Sequence, residues 1–427
     1  MKRVIFLLAI LCGLCGLCAE GLGVIIHVDP TGIDAPEGGA VNDPLATIQY
    51  ALDAAGVGDT VIIHPGTYTG PGNYNLSPRG KDVHIRSIDP NDAAVVASTI
   101  INPAAAGRGF TFVDGESAAC ILEGLTITGG SEGRGGAVRC DNSSPTIIRC
   151  VFIANTATLQ GGAIYLRNSN TVIRQSVITG NTANTDGGGI ECWYGNITLV
   201  NCLISSNTAG GQGGGVDTFN SADVTIVQCT IAENQALSGG GIYLWQSTAA
   251  VENCILWNNT APQKSQIGLH PDSQIAVSWS NVHGGYAGEG NIDSDPLFVG
   301  MTGSQAGYYD YHLMSEWGRY DIATGLWVND AATSPCIDAG NPASDCGDEP
   351  WPHGGRVNMG AFGATAQASM NGNPADFNID GAVDWRDMAE LADHWLTESA
   401  GIYNLDGVGR VDFNDAAIFM RHWRWQR

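Results

Sequence analysis

The 427-residue chain carries 19 Lys and Arg against 43 Asp and Glu, a formal net charge of −24. Such a chain repels phosphate backbones, which excludes nucleic acid as a natural partner. The same acidity suits calcium, and it repels acidic polysaccharides unless metal ions intervene.

Lys2 and Arg3 precede an unbroken apolar run from Val4 to Ala19. A charged start, a short apolar stretch and then small residues predict a secretory signal peptide over residues 1–23. The run is short for a membrane span, which needs roughly 20 apolar residues. Cys12, Cys15 and Cys18 each follow a leucine, where lipid attachment needs a small residue. The expected product is therefore exported and soluble, secreted or at the cell surface, with no membrane span. Nine cysteines remain beyond the leader. Cys336 and Cys346 lie in a polar, Pro/Gly-rich segment and can pair in an oxidising compartment. The others fall mostly at repeat positions, where small buried apolar groups are expected.

Leu45 to Ala55 (LATIQYALDAA) has helical periodicity, and Gly-Asp-Thr-Val-Ile-Ile comes next, from Gly58. A helix there would cover the open end of a coil and hide unpaired strand edges. Farther along, the chain repeats. The string Gly-Gly-(Ala/Gly)-(Val/Ile) ends at Val138, Ile164, Ile190, Val216 and Ile242, each 26 residues after the last. A second column runs Cys150, Ser176, Cys202, Cys229, Cys254, and a third Asn155, Asn181, Asn207, Asn234, Asn259. Between the turns, Ile147, Ile173, Leu199, Ile226 and Val251 keep one position apolar. Glycine, at 58 residues, is about twice its usual share, but this regular pattern argues against disorder. Short β-type runs that cannot bury a face alone do so by stacking coil on coil. The asparagine column then reads as a ladder of side-chain amides bonded between coils.

Ala46 to Tyr68 (ATIQYALDAAGVGDTVIIHPGTY), with the glycine-rich coils after it, resembles the pectin lyase-like right-handed parallel β-helix superfamily over roughly Val24 to Gly363. The resemblance implies an all-β solenoid with an N-terminal capping helix over 24–298, and a C-terminal cap with loops over 299–369. The scaffold hosts lyases, hydrolases, adhesins and structural proteins, so it implies no single reaction.

The last stretch, 370–427, reads as a separate module, with Met370 to Ala375 as linker. Asp376, Asn378, Asp380, Asp384 and Asp387 place oxygens at positions 1, 3, 5, 9 and 12 of a loop, Gly381 gives the sharp turn, and Ala382 offers its carbonyl. A second copy, 28 residues on, offers Asn404, Asp406, Asp412 and Asp415, with Arg410 giving a carbonyl and Val408 where an oxygen is expected. Both loops predict Ca2+, the second more weakly bound. Val383, Met388, Leu391, Trp395 and Leu396 predict the apolar face of a helix. Two such loops, each followed by one helix, resemble a type I dockerin, which implies a small all-α EF-hand-like domain and a cohesin-like or envelope protein as partner. Its partner-contacting positions are here Trp385-Arg386 and Phe413-Asn414, unlike the small or hydroxyl residues frequent there.

Strand alternation gives the candidate site. If Val138 and its equivalents point inward, Arg139, Tyr165, Glu191, Asp217 and Tyr243 point outward, and so do Asp141, Arg167, Trp193, Phe219 and Trp245. Sugar rings stack on exposed aromatic rows, so Tyr165, Arg167, Trp193, Phe219, Tyr243 and Trp245 are candidate substrate-binding residues. Glu191 and Asp217 would have backbones about 4.8 Å apart, close enough to raise one pKa and give an acid beside a base or nucleophile. The pair could instead hold calcium against a uronate, with Arg139 or Arg167 taking the proton in an eliminative cleavage. The pattern also fits aromatics packed under a long loop and an acidic pair that is solvated surface. His64, His84, His270, His283, His312 and His353 show no metal spacing and read as structural. The expectation is a polysaccharide-active protein, hydrolase or lyase, with Glu191, Asp217 and Arg139 as catalytic candidates. The alternative is a non-catalytic surface or adhesion protein that uses the coil as a binding face or spacer.

Overall fold

The computed structural model describes residues 23–220, 223–300, 309–373, 375–378, 382–397, 401–405 and 410–423. The expected leader lies outside them, apart from Gly23.

Short strands stack into three long parallel sheets. A ten-stranded sheet runs from Ile25–Val28 to Gln274–Ser278, a nine-stranded sheet from Gly66–Tyr68 to Asn281–Val282, and a seven-stranded sheet from Phe110–Phe112 to Ile267–Leu269. From Thr60–Ile63 to Asn281–Val282, consecutive strands of the chain fall in different sheets, so each sheet pairs a strand only with its equivalents one coil above and below. Val138, Ile164, Ile190, Val216 and Ile242 are register partners in turn, so the repeat read in the sequence is one turn of the coil. Non-glycine residues in the left-handed region make the corners. Between the ten- and nine-stranded sheets these are Arg149, Gln175, Asn201, Gln228 and Asn253, with φ between 49° and 54°. Each is locally strained, at a bend that keeps the next strand in register.

The interior columns are fully dehydrated. Ile147, Ile173, Leu199, Ile226 and Val251 belong to one core that runs along the coil. The asparagine ladder is present, and each buried amide bonds its neighbours above and below. Asn207 Oδ1 accepts from the backbone N–H and Nδ2 of Asn181, and its Nδ2 donates to Asn234 Oδ1 and Ile178 O. The cysteine column is buried as expected, but it is more than apolar filling. Cys229 and Cys254 sulfurs accept from the backbone N–H of Cys202 and Cys229 at 3.4 and 3.3 Å, as Ser176 and Ser280 hydroxyls do for Cys150 and Cys254. Backbone N–H groups that turn inward at a corner must find an acceptor there. All nine cysteines described are free thiols, Cys336 and Cys346 included.

The helix expected from Leu45 to Ala55 forms over Ile48–Ala54 and buries Ile48, Ala51 and Leu52 in the core. It packs on Ile25–Val28, the edge strand of the ten-stranded sheet, and on its neighbour Thr60–Ile63. Of the segment 299–369, expected as a cap with loops, the described residues 309–369 lie over the outer face of the nine-stranded sheet. Tyr311 and Ala361 pack on Leu203 and Ala232, and Leu313, Ile337 and Met359 pack on Ile255. Beyond them, helices Trp385–Asp393 and Phe413–Arg421 share a small core of Ala375, Phe377, Val383, Leu391, Val411 and Phe419. Val383 and Leu391 are buried as the periodicity requires. Met388 is exposed because it lies off the helix face that buries Asp387 and Leu391, and Leu396 because the helix ends at Asp393 and Leu396 turns at φ 64°.

Candidate functional site

Glycine turns decide the geometry of the seven-stranded sheet's outer face. Gly135, Gly161, Gly187, Gly213 and Gly239 precede successive strands with φ between 61° and 66°. Their backbone curls over the first outward column. A Cβ at Gly187 would sit 2.7 Å from both Cβ and Oε2 of Glu191, and one at Gly213 only 2.5 Å from Cβ of Asp217. The column points away from the coil interior, as alternation requires, yet it is buried. Glu191 is 0% exposed and Asp217 2%, with Tyr165 and Tyr243 buried beside them. The acidic pair is not solvated surface.

Glu191 and Asp217 are direct register partners, and Tyr165 and Tyr243 flank them on the next strands. The Trp193 indole N–H donates to Glu191 Oε1. Glu191 Oε2 and Asp217 Oδ1 are buried with no protein partner. Burial, and then the nearby Asp186 charge, push the Glu191 carboxyl well above its ordinary value, against the opposing bond from Trp193. Burial, and then the Glu191 charge, push Asp217 up in turn. The pair therefore keeps a proton where separate carboxyls would both be ionised. Asp186 escaped the sequence reading. It sits in the turn just before Gly187, where its carboxylate accepts from the Gln212 N–H at 2.9 Å.

The second outward column is half-buried, and its rings stack on one another. Trp193 and Phe219 centroids are 4.6 Å apart at 24°, and Phe219 and Trp245 5.8 Å at 21°. His270 extends the row, 4.1 Å from Trp245. Its signal was a position one period after Trp245, hidden by the change of residue type. The exposed Tyr194 meets Trp193 edge-on at 6.1 Å. A ligand running along this row meets ring edges, with open ring faces only at its ends.

The predicted arginines bond Asp141 and not the acidic pair. Arg139 pairs in register with Tyr165, which separates it from Glu191. Arg139 and Arg167 both bond Asp141, at 2.8 and 2.9 Å. Burial raises the Asp141 pKa, but the bonds from the two arginines outweigh it and hold the carboxyl below its usual range. Of the histidines, His312 is buried against Asp310 at 2.6 Å, His84 bonds Glu123 at 2.8 Å, and His64 meets His27 at 2.9 Å.

Among the C-terminal loop residues, Asp380, Gly381 and Asp406 lie outside the described residues. Asp384 and Asp412 each cap a helix, in a reciprocal box with Asp387 and Asp415. Asp387 is fully buried and accepts from the Phe377, Asn378 and Asp384 N–H groups. Among the described residues, no group of three or more His, Cys, Asp or Glu is arranged to hold a metal, and no helix is long and apolar enough to cross a membrane.

No curated protein sequence matches the chain. Among solved structures it is similar to pectate lyase Pel9A, at 16% identity and a TM-score of 0.44, over 82% of this chain and 97% of that one. It is also similar to a rhamnogalacturonan lyase, at 16% identity and a TM-score of 0.37, over 66% and 91% of the two chains. A family model described as a right-handed β-helix region matches residues 112–289, the stretch that holds the candidate site, and over that stretch the chain is a right-handed β-helix.

Proposed function

We propose that this is an exported polysaccharide-active protein that binds its glycan along the outer corner of the seven-stranded sheet. The observation that carries the reading is the aromatic row Trp193–Phe219–Trp245 standing beside Glu191 and Asp217, two buried carboxyls in direct register. Aromatic side chains give sugars apolar contact area, and two carboxyls side by side are the minimum equipment of glycoside hydrolysis. In this role Glu191, held to Trp193, protonates the leaving glycosidic oxygen, and Asp217 takes a proton from the water that attacks the anomeric carbon. Arg139 is the base if the cleavage is eliminative. The burial of the pair favours a second reading, glycan binding without catalysis, because a substrate reaches Glu191 only if the turns at Gly187 and Gly213 open.

The C-terminal helices serve as a dockerin-like attachment module in this proposal, and the helix Ile48–Ala54 closes the start of the coil. Asp376, Asn378, Asp380, Ala382, Asp384 and Asp387 would hold one Ca2+, and Asn404, Asp406, Arg410, Asp412 and Asp415 a second. The donors fit the ion. They are all oxygens, and the buried Asp387 is already tied to the first turn of its loop. Bound calcium supplies positive charge that lets these acidic oxygens converge. Trp385 and Phe413, 67% and 80% exposed, offer an apolar surface to a cohesin-like or envelope partner.

The test is a polysaccharide panel with added calcium, monitored for new reducing ends and for unsaturated uronide absorbance, with Glu191→Gln/Asp217→Asn alongside. Reducing ends without unsaturation, lost in the variant, establish a hydrolase that uses the pair. Unsaturated product points to a lyase and to Arg139. Glycan retention without product on any substrate establishes the binding protein. Retention unchanged by Trp193→Ala/Trp245→Ala removes the aromatic row from the site.

A further inference from the structure

The acidic pair occupies only one half of this corner. One to three coils earlier the same corner is cationic. Arg134 lies with its guanidinium 5.5 Å from the centre of the Tyr165 ring, and Arg139 is the register partner of Tyr165. Arg167 lies two residues beyond Tyr165 on the same strand. Arg108, almost fully buried, reaches Glu132 at 3.4 Å and lies close enough to Arg139 to feel its charge. Four of the chain's 19 basic residues thus gather at one place in a molecule of net charge −24.

The cluster is not balanced internally. Four guanidiniums face two bonded carboxylates, Glu132 bonded to Arg108 and Asp141 shared by Arg139 and Arg167, while Arg134 donates to the neutral Gln160 amide oxygen at 3.0 Å. A purely structural ion-pair network directs its buried donors to protein acceptors, because an unpaired buried donor is destabilising. Here the Nε atoms of Arg108 and Arg139 are both buried without an acceptor. Guanidinium forks suit oxyanions, which they bind with two parallel bonds.

We infer that this corner is an oxyanion subsite for the carboxylate or sulfate ester of an acidic sugar, next to the Glu191–Asp217 pair. The inference rests on the glycan-binding reading and sharpens it. The ligand is bound in one direction, its charged sugar against the arginines and uncharged sugars along the aromatic row. The Asp186 carboxylate, close enough for its charge to act on Glu191 and Asp217, repels a second anion farther along. The overall negative charge then selects against densely charged polymers, while this one subsite admits a sparse one.

The experiment is titration calorimetry of the full chain with four probes: a uronate oligosaccharide, its methyl ester, a sulfated neutral oligosaccharide and inorganic sulfate. The uronate should bind about tenfold or more tightly than its ester, as loss of a charge-assisted bond predicts. Arg134→Gln, at an exposed side chain, should abolish that advantage and leave ester binding unchanged; Arg139→Gln should abolish it as well, and Arg139→Lys should restore part of it. Circular dichroism checks the fold, and if Arg139→Gln unfolds, Arg134→Gln carries the test. The sulfated probe against the uronate tells which oxyanion the subsite prefers. Equal affinity for acid and ester, or an Arg134→Gln that weakens both alike, overturns the inference and leaves the glycan reading standing. Sulfate binding that Arg134→Gln removes, with no glycan bound at all, keeps the subsite and overturns the glycan reading. No binding of uronate, sulfated probe or sulfate overturns the subsite.

Discussion

Replacing Asn207 by Ala should be among the most destabilising single changes in the coil. The side chain takes part in four hydrogen bonds, two accepted and two donated, between 2.8 and 3.0 Å. Its burial is complete, so water cannot take over any of them. Four bonds at about 1 kcal/mol each give ~4 kcal/mol. The buried Asn181 backbone N–H, left without its acceptor while Asn181 Nδ2 keeps Phe152 O and Thr179 O, adds to this, for a total of about 4–6 kcal/mol. Asn184→Ala is the control, three residues past the ladder position Asn181 on an exposed side chain, and should change stability by less than about 0.5 kcal/mol. Urea unfolding monitored by far-ultraviolet circular dichroism measures both. The ladder also predicts coupling. Asn181→Ala/Asn207→Ala should cost clearly less than the sum of the single changes, because each single change already breaks the bonds the two share. A loss of about 1 kcal/mol or less for Asn207→Ala, or strict additivity with Asn181→Ala, would refute the claim that the ladder stabilises the coil.

Two further predictions concern charge. Glu191 and Asp217 have folded-state pKa values raised above their unfolded ones, so their neutral forms are favoured by folding. Their contribution is fully present below the ordinary carboxylate range and is lost as pH rises through the raised values. The melting temperature should therefore fall as pH climbs from the acid range past neutrality, and Glu191→Gln/Asp217→Asn should flatten that slope; an unchanged slope counts against a buried protonated pair. Removing calcium with a chelator should unfold the module around Phe377 and Phe419 and leave the β signal of the coil intact, as read by circular dichroism and tryptophan fluorescence. A tail that chelation leaves unchanged sinks the metal assignment.

The period was written openly in the chain. Gly-Gly strings every 26 residues and columns of aliphatic, Cys or Ser, and Asn residues defined coils, because a solenoid repeats one local environment and so repeats its residue types. The same columns fixed the register: Glu191 beside Asp217, and Trp193 beside Phe219 and Trp245, come from equal spacing alone. Alternation also told which side of the sheet each residue takes, since that is a property of a single strand.

Burial on the outer side was beyond it. Whether Glu191 meets water depends on the path of the turn at Gly187, and that path depends on a left-handed backbone stacked coil upon coil. Likewise the sequence presented Trp193, Phe219 and Trp245 as an open row, but their rings cover one another because strand spacing matches ring stacking. Arg108, Arg134 and Asp186 lay outside the columns that carried the sequence reading and join the site only through the corner between strand and preceding turn. Sequence periodicity determines which residues share a column, because that needs only equal spacing. Which columns face each other across a bend is set by the angle of the bend, and only the folded coil contains that angle.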